Sequence, residues 1–302
     1  MTKLAICSDL HLEFGDINLS NTNNADVLIL SGDIMIAQTL HDRPASTDEA
    51  DNLMPASGKQ KTAQRYRNFI KRCSEQFPNV IAIAGNHEFY NGRWVAALDY
   101  LRTEYSKYPN VHFLENETVT INDVVFVGAT TWTNCNNGDP LTMYGLRDCM
   151  TDFRLIRNDS ANYRVLSTHD VVIRHQQTMK YFESTLGANA DKKCVIVGHH
   201  TPSFQSCHPM YSSANDRIMN GGYHSELTEF ILGHPQIALW TCGHTHHKHR
   251  YYVGDTLVVC NPRGYINHEP LAARFTLKDV DLNNMPTKTE IQVDYDWDDI
   301  IN

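Results

Sequence analysis

The chain contains five short apolar runs, each of which ends at residues able to bind a metal ion. Runs of this length are typical of buried strands. The residues that follow them read Asp9-Leu10-His11, Gly32-Asp33, Gly85-Asn86-His87-Glu88, Gly198-His199-His200 and Gly243-His244-Thr245-His246. Helical patterns over 61–77, 91–105 and 168–187 lie between the runs. This alternation predicts an α/β sheet with ligands at the carboxyl ends of its strands, where glycine would allow a sharp exit.

The residue types in these motifs suit a divalent metal. Imidazole, carboxylate and amide oxygen together are the ligands of mixed nitrogen and oxygen sites. Asp9 and His11 are two positions apart and would share one side of an extended backbone, and His244 and His246 repeat that spacing. Asp33 is a single carboxylate suited to bridging two ions. An isolated Asp-x-His or Gly-Asp is common in structural turns, so the prediction depends on all five motifs together.

In this order the motifs resemble those of the calcineurin-like metallophosphoesterase superfamily, in its compact bacterial and phage-type branch. The resemblance covers roughly residues 3 to 278 and implies a four-layer αββα sandwich of two mixed β-sheets flanked by helices. It implies one metal ion on Asp9, His11, His246 and bridging Asp33. It implies a second ion on the residues Asp33, Asn86, His199 and His244. His200 adjoins His199 and is the alternative ligand; the position directly after the strand favours His199.

The resemblance also implies a mechanism. Two divalent ions (Mn, Fe, Zn, Ni or Co, with Mn favoured) would clamp the phosphoryl group, and a hydroxide bridging them would attack phosphorus. Asp33 would hold both ions, and His87 would protonate the leaving group. The alternative for His87 is a histidine packed in its loop.

The substrate is less constrained by the sequence. The chain reads Gly32-Asp33-Ile-Met-Ile-Ala and lacks the Gly-Asp-x-x-Asp-Arg-Gly signature of protein phosphatases. We expect a small phosphodiester or nucleotide-like substrate. The alternatives are a DNA or RNA nuclease and an inactive metal-binding scaffold. Arg263, Arg154 and His200 are candidate substrate contacts, although Arg263 could equally be a surface or ion-paired arginine.

Composition narrows the choice of partners. The formal net charge is -9, which argues against the broad basic surface of a nucleic-acid-coating protein. The chain has no apolar stretch near the roughly 20 residues of a membrane span and no secretory signal pattern, so we expect a cytoplasmic protein. Its eight cysteines include no C-x-x-C pair, which indicates neither a zinc knuckle nor a disulfide framework. Cys7, Cys194, Cys242 and Cys260 are expected to be small buried core residues.

The expected organisation is one domain over residues 1–278, followed by a C-terminal strand and an acidic tail over 279–302. Two stretches lack a core pattern: a polar loop over 38–60 and an insertion near the active site over 131–165. Turn residues at 122–123 and 254–255 predict antiparallel hairpins. The run 111–114 and the segments 274–277 and 290–293 are expected to belong to the same antiparallel region.

Overall fold

The computed structural model describes residues 2–43, 58–213 and 216–291. Its strands are β1 (Lys3–Cys7), β2 (Val27–Ser31), β3 (Asn79–Ile83), β4 (Val111–Phe113), β5 (Glu117–Ile121), β6 (Val124–Gly128), β7 (Arg157–Asn158), β8 (Arg164–Val165), β9 (Lys193–Val197), β10 (Ile237–Cys242), β11 (His249–Val253), β12 (Thr256–Cys260) and β13 (Lys278–Asp281). The helices are α1 (Ala37–Asp42), α2 (Gly58–Gln76), α3 (Ala96–Tyr105), α4 (Cys135–Gly138), α5 (Pro140–Cys149), α6 (Asp152–Leu155), α7 (Thr168–Ala188), α8 (Asp216–Asn220), α9 (Thr228–Leu232) and α10 (Lys288–Ile291).

The strands form two mixed sheets. The first has the order β13-β1-β2-β3-β4, in which β1 to β4 are parallel and β13 is antiparallel to β1. The second has the order β11-β12-β10-β9-β6-β5, with antiparallel strands β11 and β5 at its edges. Both predicted hairpins are confirmed, since β5 pairs with β6 and β11 with β12. β7 and β8 form a separate small ribbon.

Two strand assignments from the sequence are wrong. β4 pairs in parallel with β3 and so belongs to the first sheet. The C-terminal segment does not extend the second sheet, because β13 begins at Lys278 and pairs with β1. Residues 288–291 are helical. Local alternation of apolar residues cannot distinguish these cases, because the partner strand lies far away in the sequence.

The core has three layers of side chains. Leu4, Ile29 and Ile81 of the first sheet pack against Val195 and Leu239 of the second, which makes the central layer. The outer face of the first sheet is covered by α1, α2 and α3, which contribute residues such as Leu40, Phe69 and Leu101. The outer face of the second sheet is covered by Phe182 and Leu186 of α7 and Ile231 of α9. The predicted four-layer αββα sandwich is therefore confirmed.

The insertion over 131–165 folds into α4, α5, α6 and the β7–β8 ribbon. Its Trp132 is buried, with its ring 5.6 Å from that of Phe89 and 5.7 Å from that of Trp94. The described ends of the predicted polar loop 38–60 are helical, since α1 runs to Asp42 and α2 begins at Gly58. Residues 44–57 lie outside the described residues, as does the acidic tail from 292 onwards. Among the described helices, none has both the length and the apolar character needed to cross a bilayer.

Candidate metal centre

Seven predicted ligand residues converge where the two sheets meet at the carboxyl ends of their strands. The ligand atoms of Asp9, His11 and His246 lie within 4.8 Å of one another, and so do those of Asp33, His199 and His244. Asp33 of the second group also approaches the first, since its Oδ2 is 3.9 Å from Nε2 of His11 and 3.4 Å from Nε2 of His199. Five strands end beside these side chains: β1, β2 and β3 of the first sheet, and β9 and β10 of the second. A hydrogen bond of 2.7 Å between the hydroxyls of Ser31 and Thr241 joins their ends.

Carboxylates orient two of the histidine rings. Nδ1 of His11 lies 3.1 Å from Oε1 of Glu13, and Nδ1 of His246 lies 2.6 Å from Oε1 of Glu269. Each Nδ1 therefore carries the donated proton, and each Nε2 presents a lone pair. Neither glutamate was predicted from the sequence. Glu13 could have been found from its position two residues after His11, whereas Glu269 has no comparable signal.

His199 is better placed as a ligand than His200. Nδ1 of His199 donates to the carbonyl of Ser31 over 2.8 Å, which turns Nε2 toward Asp33. Nδ1 of His200 instead donates to the carbonyl of Thr130 over 3.2 Å, and its ring stacks on Trp132. Burial lowers the pKa of His200 to about 3, so this ring is a neutral packing group behind the site.

Asn86 is fixed with its carbonyl oxygen toward the histidines. Its Oδ1 lies 3.1 Å from Nε2 of His199 and 3.1 Å from Nδ1 of His244. Its amide nitrogen donates to the hydroxyl of Tyr90, which in turn donates to Asp152 over 3.3 Å. Asp152 belongs to the insertion, so this segment helps to orient a metal-site residue.

The backbone at the ligands is not extended. Asp9, His11, Asp33, His244 and His246 all have positive φ, between 45° and 69°. This conformation is uncommon for residues other than glycine and often occurs at functional sites. The expected extended backbone of the i, i+2 pairs is therefore wrong; Asp9 and His11 still lie in one ligand group, whereas His244 and His246 lie in different groups. β1 ends at Cys7 and β10 ends at Cys242, so these four ligand residues lie in loops beyond the strand ends.

The glycines before the ligands have a different role from the expected one. Of the four, Gly32 alone has positive φ, at 84°. At Gly85 a Cβ atom would lie 2.2 Å from Oδ1 of Asp33, and at Gly243 one would lie 2.5 Å from Oδ2 of Asp9. These two glycines are needed because a ligand carboxylate approaches their backbone closely.

Glu88 connects the second and third motifs. Its buried carboxylate accepts hydrogen bonds from the backbone amides of four residues, over 2.7 to 3.1 Å: Asp33, Ile34, Met35 and Gly85. Burial and the neighbouring Asp33 raise the pKa of Glu88 to about 7, while the amides oppose that shift. Glu88 belongs to the third sequence motif, but the sequence alone predicted no role for it. In the structure, its hydrogen bonds hold the backbone of Asp33 next to that of Gly85, at the end of β3.

His87 lies at the edge of the metal cluster. Its backbone amide donates to Oδ1 of Asp33 over 2.8 Å, its Nδ1 lies 3.1 Å from Oε1 of Glu13, and its Nε2 lies 3.3 Å from the hydroxyl of Tyr265. Burial lowers the pKa of His87, but Asp33 and Glu13 outweigh burial and raise it to about 9. The same Glu13 oxygen thus accepts hydrogen bonds from both His11 and His87.

An open cleft of about 370 Å³ leads to the cluster. Its walls include residues that follow α5, residues of the 219–223 segment and the loop after β12. The lining residues are Asp33, Asn86, His87, Tyr90, Cys149, Met150, Thr151, Asp152, Met219, Tyr223, His244, Thr245, His246 and Tyr265.

Neither arginine predicted to contact substrate lies in this lining. Arg263 is buried, and its guanidinium donates to the carbonyls of Leu10, Gly15 and Asp16 over 2.9 to 3.1 Å. It holds the segment after β1 in place, which corrects the expected phosphate contact. Arg154 is exposed and donates to the carbonyl of Asp148 and the hydroxyl of Thr151 within its own segment.

The residues present fit a pair of cations. Oδ2 of Asp9 and Nε2 of His244 are buried and have no hydrogen-bond partner among the described residues. The Nε2 lone pairs of His11 and His246 face each other over 3.0 Å. Such an arrangement of unpaired acceptors is costly unless a cation lies among them. The donor set of imidazoles, carboxylates and one amide oxygen suits divalent transition metals.

A sequence model of the family described as calcineurin-like phosphoesterase matches residues 2–248. The uncharacterized protein L509 of Acanthamoeba polyphaga mimivirus is 25% identical over 216 residues, which cover 67% of this chain and 74% of that protein. Among solved structures, phosphopantetheinyl hydrolase (PptH) from Mycobacterium tuberculosis superposes with a TM-score of 0.66 at 15% identity, covering 95% of this chain and 99% of that one. TT1561 of Thermus thermophilus superposes with a TM-score of 0.49 at 13% identity, covering 93% and 99%. The likeness to the Mycobacterium protein is one of fold.

Proposed function

The chain belongs to the calcineurin-like phosphoesterase family and is a metal-dependent phosphoesterase, and we propose that it hydrolyses a small phosphodiester or nucleotide-like ester at a centre of two metal ions. The observation that carries the proposal is the position of Asp33, whose Oδ2 approaches ligand nitrogens of both groups. A single carboxylate shared in this way suits a centre that binds two ions.

The proposed ligand sets follow the two groups. One ion would be held by Asp9, His11, His246 and Asp33. The other would be held by the residues Asp33, Asn86, His199 and His244. When bound, the ions supply Lewis acidity that activates water and neutralises phosphoryl oxygens. Manganese remains the favoured metal, and iron, zinc, nickel and cobalt suit the same donors.

His87 is the proposed acid for the leaving group. It lines the cleft, and although its ligand atom lies within 4.8 Å of those of His11 and Asp33, we place it in neither ligand set. Glu13 holds Nδ1, so Nε2 is the nitrogen directed toward the cleft and Tyr265. A cationic imidazolium in this position can donate its Nε2 proton to the departing oxygen.

The lining of the cleft supports a substrate with one negative charge. Neither lysine nor arginine occurs among the described residues that line it. A dianionic monoester usually gains from such a side chain, whereas the single charge of a diester can be balanced by the ions alone. Met150, Met219 and Tyr223 offer apolar and aromatic surface to a base-like group. The volume of about 370 Å³ suits a small ligand.

The test compares bis-p-nitrophenyl phosphate with p-nitrophenyl phosphate after EDTA treatment and again after Mn²⁺ is restored. We expect activity to vanish with EDTA, to return with Mn²⁺ and to favour the diester. Asn86→Ala should abolish turnover, while the exposed helical Asn68→Ala in α2 should not. Full activity in metal-free protein would contradict the metal centre.

Two other functions can be distinguished when nucleic acid is added to the same assay. Cleavage of plasmid or single-stranded oligonucleotide in preference to the small diester would identify a nuclease, which the acidic net charge disfavours. Bound metal without turnover of either ester would identify an inactive scaffold. The intact ligand set and His87 support an active enzyme.

A further inference from the structure

A second cluster of metal-binding side chains lies beneath the loops of the metal centre. Cys242, His249 and Cys260 are all buried, and one ligand atom from each lies within 4.8 Å of those of the other two. None of the three belongs to the ligand sets described above. Thiolate sulfur with imidazole nitrogen is a donor set different from that of the catalytic centre.

Strand register explains how the three residues meet. Cys242 of β10 and Cys260 of β12 are directly opposite each other in neighbouring parallel strands. His249 of β11 is directly opposite Cys260 in the antiparallel pair on the other side of β12. The side chains therefore stand in one row across three adjacent strands. The second sheet itself fixes the cluster, independently of any loop.

The one nitrogen–sulfur distance given by the structure is close to that of a tetrahedral zinc site. Nε2 of His249 lies 3.9 Å from Sγ of Cys242. Tetrahedral zinc with ordinary bond lengths places sulfur and nitrogen ligands about 3.5 Å apart. A movement of a few tenths of an ångström would bring this pair to zinc-binding distance, and the three side chains would supply three of the four positions of a tetrahedral site.

Burial of a histidine here needs an explanation. Two buried cysteines are ordinary small core residues, but His249 is 4% exposed. Its Nδ1 is buried and makes no hydrogen bond of standard geometry with the described residues, and its Nε2 is paired with Sγ of Cys242 in a long contact of 3.9 Å. An imidazole kept from water and poorly hydrogen-bonded is costly. Coordination by Nε2 would offset that cost.

We propose that Cys242, His249 and Cys260 bind a structural zinc ion that is separate from the catalytic pair. The chain between Cys242 and His249 is the loop that carries His244 and His246. The loop after Cys260 carries Tyr265 and Glu269. An ion bound at the bases of both loops restricts them and keeps the two ligand histidines and Glu269 in register.

Cobalt substitution tests the site, because a thiolate bound to Co²⁺ gives a near-ultraviolet charge-transfer band that nitrogen and oxygen ligands do not. We expect the full chain produced with Co²⁺ to show this band, and Cys260→Ser to lose it. Zinc-grown Cys260→Ser and His249→Gln should each lose one equivalent of metal per chain. The matched control is Cys194→Ser, a buried cysteine of β9 outside the cluster, which should retain both the band and the metal.

The wild-type spectrum decides the question even if the variants fold poorly. Cobalt-loaded wild-type protein without the thiolate band would overturn the proposal. Two further results would also overturn it: a band that persists in Cys260→Ser, or a disulfide between Cys242 and Cys260 in the purified protein. None of these readouts depends on phosphoesterase activity, so they are separate from the test of the proposed function.

Discussion

Nε2 of His11 and Nε2 of His246 lie 3.0 Å apart, although the two residues are separated by 235 positions in the chain. Each ring donates its Nδ1 proton to a glutamate, Glu13 or Glu269, so the two facing nitrogens both present lone pairs. The arrangement is a candidate cation site whose ring orientations are set by outer carboxylates. Those carboxylates lead to the first prediction.

Replacing Glu269 by glutamine should weaken metal binding without unfolding the protein. The variant loses the carboxylate that orients His246, and the loss of such a partner typically reduces metal affinity by about 10- to 100-fold. Affinity is measured by competition with a chelator. Glu229→Gln, at an exposed glutamate of α9, is the control and should bind metal like wild type. Equal affinity in both variants would contradict the orienting role.

Glu88→Gln should destabilise the fold. The carboxylate accepts four backbone amides, and an amide side chain would turn an NH₂ group toward some of these donors. Leaving buried donors unsatisfied costs about 1–3 kcal/mol, and more where the acceptor is charged. Urea unfolding should therefore show a loss of about 2–4 kcal/mol. The exposed Glu117→Gln should change the free energy of unfolding little.

Gly85→Ala should abolish activity, because the added Cβ would lie 2.2 Å from Oδ1 of Asp33. Either Asp33 or β3 must move, and both hold the metal centre in place. Gly187→Ala is the matched control, since a Cβ there meets no atom within 4 Å and the residue lies in α7. That control should keep its activity and gain up to about 1 kcal/mol of stability. Activity and metal content are measured for both.

His87→Asn should slow turnover in a way that depends on the leaving group. Loss of a general acid typically costs about 10²- to 10⁴-fold. The decrease in kcat should be large for esters with basic alkoxide leaving groups and small for p-nitrophenolate, which needs no proton. The exposed His169→Asn in α7 is the control. A decrease of the same size for every leaving group would indicate a positioning role instead.

The start of α7 should contribute a pH-dependent part of the stability. Asp170 forms a capping box with Ser167 and an ion pair with Arg164 at 2.6 Å. Burial raises the pKa of Asp170, but these partners outweigh burial and lower it from 3.8 to about 2. The pKa is depressed in the folded state, so the stabilisation is present above pH 3.8 and is lost as the pH falls toward 2.

Asp170→Asn should therefore lower the free energy of unfolding by about 1 kcal/mol at pH 7. The difference between variant and wild type should shrink between about pH 4 and pH 2. This difference in the free energy of unfolding is measured by urea unfolding at several pH values. A difference that stays constant through this range would show that the carboxylate charge contributes nothing.

The sequence pointed to candidate metal ligands that the structure brings close together, because their signal is local. Each motif directly follows an apolar run, and the carboxyl ends of neighbouring strands meet at one edge of a sheet. The geometric reason given for Asp9 and His11 was wrong, since both have positive φ and lie beyond the end of β1. The pair spacing was informative even though the backbone is not a strand.

Substrate contacts could not be predicted in the same way. Arg263 follows a strand, as the ligands do, but its guanidinium turns inward to three carbonyls of the segment 10–16. Whether an arginine faces a cleft or a loop depends on which acceptors lie near it, and these are supplied by a remote part of the chain.

The sequence by itself determined the fold class, the order of the motifs and the residue types at the metal centre, because strand patterning and ligand chemistry are local properties. Only the tertiary structure decided that His199 rather than His200 turns toward Asp33, that Glu13 and Glu269 orient two ligands, and that three strands align Cys242, His249 and Cys260. Ring orientation depends on hydrogen-bond partners that are distant in sequence, and those partners become neighbours only when the two sheets pack together.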